Sequence, residues 1–136
     1  MIRIVTESMS DFTQEEAKAA DLIVMPLPIR FGMEEYWDDG VSLTQDDFYA
    51  RLRVAKELPK TSQVPVEHYR KCFNRLLENP EDEVLVITGS SKLSGCYQSA
   101  CIAREACHDP VRVTVLDSLN ATCAEYMLVD QALRYR

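Results

Sequence analysis

Short, mostly apolar runs alternate along this chain with stretches that are apolar on one side only. IRIV (residues 2–5) and EVLVIT (83–88) have the length of strands. The second is as continuous as a strand buried on both faces of a parallel sheet should be. VRVTVLD (111–117) reads as another strand. LIVMPLPIRF (22–31) is extended and apolar, but Pro26 and Pro28 bring no N–H to a ladder, so it should be edge-like or broken. EEYWDDG (34–40) suggests a short strand and a turn.

Helix signals fall between these runs. Thr13 and Glu16 form a capping-box pattern ahead of QEEAKAAD (14–21). Thr44 opens a second helix, LTQDDFYARL (43–52), with Asp46 and Asp47 favoured by the dipole in its first turn. ELPKTSQ (57–63) reads as a loop. Pro65 suits the first turn of VEHYRKCFNRLL (66–77), whose Tyr69, Phe73 and Leu76 or Leu77 share a face. NPED (79–82) breaks that helix. Two more helices follow, one after Ser94 and one from Thr122 to the last residue. Cys96, Ala100, Ala103 and Cys107 recur at helical spacing and are all small, so the first of these can lie close against a sheet. Alternating strands and helices predict an α/β fold, layered, with a largely parallel sheet flanked by helices. The 136 residues fit one domain, 1–136.

Composition narrows the function. The net charge of -7 disfavours nucleic acid or an anionic membrane as a main partner. The start MIRIVTESMSDF lacks the long apolar core of a signal peptide, and no apolar run reaches membrane-span length, so a cytoplasmic protein is expected. The five cysteines form no CxxC pair, and reduced thiols are expected rather than a metal site. The final helix carries no stop signal, which fits either a piece of something longer or a natural short form.

The chemistry gathers in loops. In a parallel α/β sheet the loops at the carboxyl ends of the strands share one edge, where ligands bind. Thr6, Ser8 and Ser10 follow the first strand. Ser90, Ser91 and Ser94 follow EVLVIT, and Ser118, Asn120 and Thr122 follow VRVTVLD. PKTSQ adds Thr61 and Ser62. Serine and threonine also cap helices and fill turns, which accounts for many of these positions. SSKLSG asks for more. With Ser94 as N-cap or first-turn residue and Gly95 next, free backbone N–H groups face outward and can hold an anion. Lys60 and Lys92 stand beside these loops. A Ser94–His108–Asp117 triad fails on distance, because His108 lies at the far end of the helix, roughly 20 Å away. The GxSxG, P-loop and GxGxxG patterns are absent. A first-turn position such as that of Cys96 can lower a thiol pKa, the minority reading beside a buried, inert thiol.

The segments IVTESMSDF, LPKTSQVPVEHY, ITGSSKLSGCYQSA and VTVLDSLNAT resemble, in order and spacing, the N-terminal half of the DegV family of bacterial fatty-acid-binding proteins. The resemblance implies two α/β domains with a long-chain fatty acid held between or within them, no catalysis, no cofactor, and a separate fatty-acid kinase as partner in phospholipid synthesis. It also implies that Thr61 and Ser94 hold the carboxylate, with the Gly95 N–H and Ser62 beside them. The family usually carries Asp where Glu7 stands, Thr where Cys96 stands, and more glycine and serine after VLDS. The family's C-terminal domain is absent from this chain, so self-association through the face left open is expected. Two other readings remain: an interaction or assembly domain without lipid binding, and an enzyme using Cys96 as nucleophile.

Overall fold

A computed structural model describes all 136 residues. The elements in chain order are β1 (Ile2–Glu7), α1 (Gln14–Ala19), β2 (Ile23–Met25), β3 (Pro28–Phe31), β4 (Glu34–Trp37), α2 (Gln45–Val54), β5 (Lys60–Thr61), α3 (Val66–Leu76), β6 (Glu83–Thr88), α4 (Cys96–Glu105), β7 (Val113–Asp117) and α5 (Cys123–Tyr135). Short 3-10 turns precede α1 (Ser8–Ser10) and β7 (Pro110–Arg112).

Four strands form the expected parallel sheet in the order β2-β1-β6-β7. β1 lies inside it, with Ile4 opposite Leu85 and Val5 opposite Val86. Successive side chains point to opposite faces, so the apolar runs feed two cores. Val5, Val84, Val86 and Val113 pack with Tyr69, Phe73 and Leu76 of α3 and with Cys96, Ala100 and Ala103 of α4. Ile4 and Ile87 pack on the other face with Ala17 of α1 and Val129 of α5. The small face of α4 is fully buried, as its spacing predicts.

The prolines break the 22–31 run as expected. β2 ends at Met25, and β3 starts at Pro28, where a strand tolerates the missing N–H. The break moves the chain into a second sheet, antiparallel and ordered β4-β3-β5, which the sequence pattern did not predict. ELPKTSQ is therefore not all loop: Lys60 and Thr61 pair with Arg30 and Ile29. The capping box at Thr13 and Glu16 is present in full. Thr44 caps α2 as expected, accepting from the Asp47 N–H. Pro65 stands at the N-cap of α3 rather than in its first turn.

Candidate functional site

The loops after β1, β6 and β7 are bonded into one edge. Ser90 N–H donates to Asn120 O at 2.7 Å, Ser118 N–H to Thr88 O at 3.0 Å, and Thr122 N–H to Met9 O at 3.0 Å. Many of the hydroxyls foreseen there are engaged in this wiring. Ser8 Oγ accepts from the Leu27 N–H, and Ser10 Oγ donates to Glu7 O. Ser90 Oγ accepts from the Lys92 N–H, and Ser118 Oγ donates to Asn120 O. Asp117 Oδ1 accepts from the N–H groups of Ser91 and Leu119, which fixes the two outer loops against each other.

The start of α4 is different. Gly95, not Ser94, is its N-cap, and having no side chain it makes no cap bond of its own. Ser94 stands one residue earlier and accepts from the Cys96 N–H at 3.3 Å, leaving its own proton uncommitted. Gly95 has an ordinary φ of -81°. Its glycine answers to proximity: an added Cβ would sit 3.1 Å from the Gln63 side chain. That contact brings the Thr61–Ser62 loop against the helix mouth. Val64 N–H donates to Cys96 Sγ at 3.5 Å, and Ser62 N–H to Pro28 O at 3.2 Å, so the loop is anchored at both ends. The structure thus brings Thr61, Ser62, Ser94 and Gly95 onto two adjoining segments. Thr61 and Ser62 are exposed, Ser94 and Gly95 half-buried. Uncommitted hydroxyls beside an uncapped helix start offer neutral donors to a small anion.

Thr61 also borders a cavity of about 630 Å³ between the two sheets. Ser94, Gly95 and Ser62 do not line it. Its wall mixes Phe12, Leu43 and Phe48 with Asp11, Asp38 and Asp39, a poor setting for an anionic head group.

Cys96 follows the buried reading. Its side chain is fully buried, and burial pushes the thiol up, with the Glu7 carboxylate adding to the rise. Desolvation outweighs the helix start, so the lowered pKa that a first-turn cysteine can have is not found. The sequence reading also missed a pair of fully buried carboxyl groups, Glu7 and Glu125, that meet behind the edge. The signal was there: Glu125 lies four residues before Val129, on the helix face that is buried.

A family described as "Uncharacterised protein, DegV family" matches residues 1–136. The chain is 39% identical over 133 residues to a DegV domain-containing protein of Caldanaerobacter subterraneus, covering 98% of this chain and 46% of that one. It is 35% identical over 130 residues to a fatty acid-binding protein of Thermotoga maritima, covering 90% and 42%. Among solved structures it superposes with TM-score 0.89 on a stearic acid-binding protein from Eubacterium ventriosum, at 32% identity over 98% of this chain and 47% of that one. A fatty-acid-binding protein from Thermus thermophilus gives TM-score 0.86, at 32% identity over 98% and 46%. The chain spans about half the length of the relatives it matches.

Proposed function

The chain belongs to the DegV family, and from that premise we propose that it binds a long-chain fatty acid by its carboxylate. The hydroxyls of Thr61 and Ser94 and the Gly95 N–H hold the head group, with Ser62 alongside. The observation that carries this reading is the uncapped start of α4 with the Thr61 loop packed across it. In a chain of net charge -7, a helix start is the economical way to hold one anion, since it supplies donors and positive potential without a buried cation. The fatty acids named for the solved relatives supply the ligand class.

The chain itself performs no chemistry in this reading. It presents the carboxylate to a separate fatty-acid kinase in the cytoplasm, for acyl-phosphate formation and phospholipid synthesis. Uncharged donors suit that task, because a head group that must later react should not be locked to an arginine. Fatty acid should therefore be found when the purified protein is extracted with organic solvent and the extract is read by mass spectrometry. Thr61→Ala and Ser94→Ala should each weaken binding about 10- to 100-fold, as loss of a hydrogen bond to a charged group does. The far-ultraviolet circular dichroism should not change. A double variant that binds as well as the wild type overturns the assignment.

A second reading rests on Leu93, Leu116, Leu119 and Met127, which are exposed on β7, α5 and the loops after β6 and β7. An interaction domain would use this surface to self-associate. Light scattering decides it: a strict monomer across the micromolar range rules it out.

A further inference from the structure

Glu7, the last residue of β1, and Glu125, in the first turn of α5, are both fully buried. Their side chains converge on Gly89. A carbon added at Gly89 would lie 3.0 Å from Glu7 Oε1 and 3.1 Å from Glu125 Oε2. Glu7 has two donors: Gly89 N–H to Oε1, and the Tyr69 hydroxyl to Oε2 at 3.4 Å. Glu125 has one, the Thr6 hydroxyl, to Oε1 at 3.1 Å. Glu125 Oε2 is buried and has no donor at all. The other titratable groups that bear on the pair are Tyr69 from α3, Cys96 from α4 and Asp11 from the turn after β1. None is basic. Two carboxylates there would suffer desolvation and mutual repulsion with nothing to neutralise them. A single proton removes one buried charge, gives Glu125 Oε2 its missing partner, and turns the repulsion into a hydrogen bond.

We propose that Glu125 is a neutral carboxylic acid donating to the Glu7 carboxylate, and that this bridge is the brace holding α5 and the Ser118–Thr122 loop to the strand ends behind the anion edge. The brace spans the joint that is also crossed by the Thr122 to Met9 and Ser90 to Asn120 backbone bonds. Its electrostatics run the same way. Burial pushes Glu7 up to about 7, and burial with repulsion from Glu7 pushes Glu125 up to about 8. Glu7 has the better donors, so it ionises first. The placement behind an anion edge rests on the fatty-acid reading; the bridge itself does not.

The sign follows. The fold retains protons that unfolded glutamates release near the ordinary value of 4.5. The stability from these retained protons is full below about 4.5 and falls as pH rises; Glu7 ionises near 7 to form the charged bridge, which is lost as Glu125 ionises near 8. For each retained proton the unfolding constant rises about tenfold per pH unit across that window.

The test uses lipid-free protein: a carbon-13 titration of the glutamate carboxyls, with urea unfolding of wild type, Glu125→Gln and Glu125→Ala from mild acid to mild alkali. Both carboxyls should titrate near neutrality or above, Glu125 last. Glu125→Gln, whose amide still donates to Glu7, should flatten the pH profile and resist unfolding better than the wild type in alkali. Glu125→Ala should be weaker throughout. Two carboxyls titrating at ordinary values, or a Gln variant as weak as the Ala variant with the same pH profile, overturn the bridge. Should Glu125→Ala fail to fold, the wild-type titration and the Gln variant still decide. Protein that binds fatty acid but titrates normally refutes the bridge alone. A bridge in protein that takes up no fatty acid refutes the binding reading alone.

Discussion

Two glycines of SSKLSG and its approach show how position decides what a missing side chain is for. At Gly89 an added Cβ would lie 2.6 Å from Met9 Sδ and within 3.1 Å of both buried carboxyl groups. The thioether can swing away, but Glu7 Oε1 is held by the Gly89 N–H, and the buried Glu125 carboxyl is held through its other oxygen by Thr6. Gly89→Ala should therefore cost about 1–3 kcal/mol, read as a lower urea midpoint at unchanged slope. Gly95→Ala meets only the exposed Gln63 side chain, which can move, and should unfold within about 0.5 kcal/mol of the wild type. Nothing local in the sequence tells the two positions apart, because the groups that crowd Gly89 come from residues 7, 9 and 125. Cys96 teaches the same lesson. Its place in the first turn was legible, but the direction of its side chain was not, and inward burial reverses the expected shift.

Elements whose signals are local were read correctly. The Thr13 and Glu16 spacing predicted the start of α1, and both arms of the box are formed, Glu16 N–H to Thr13 Oγ1 at 3.2 Å and Thr13 N–H to Glu16 Oε2 at 2.9 Å. Thr13→Ala should cost about 1 kcal/mol, because α1 is only six residues long and packs little beyond Ala17. Thermal unfolding by circular dichroism would report it. β5 was missed for the opposite reason. A two-residue strand has no periodicity to read, and its pairing with β3 is set by residues about thirty positions away. The candidate site sits between these cases. SSKLSG announced a helix start by itself, but the Thr61 loop was joined to it only through resemblance until the Gln63 and Val64 contacts were seen. Arg112 is another contact that local pattern cannot show. Its guanidinium donates to the carbonyls of Leu77, Asn79, Pro80 and Asp82 and so ties off the turn between α3 and β6.

For the whole molecule, the parallel sheet was legible because β6 is a near-continuous apolar run, and the helices between the strands leave parallel pairing as the simple connection. The antiparallel sheet carries mixed residues and half-exposed strands, and its presence followed from nothing in the pattern beyond the two prolines.

β1 is the first strand in the chain and an inner strand of the sheet. One of its neighbours, β6, begins only at Glu83, whose N–H closes the pair on Met1 O. Synthesis runs from the N-terminus, so most of the domain must leave the ribosome before β1 can be sandwiched. Until then an apolar segment waits unprotected. Nascent chains stalled short of residue 83 should be digested rapidly by protease, and those carrying β6, β7 and α5 should resist. Once the whole chain is free, closing a pair this distant in sequence should put refolding in the millisecond-to-second range rather than microseconds. An apolar strand that must wait for residue 83 is open to aggregation until its neighbour arrives.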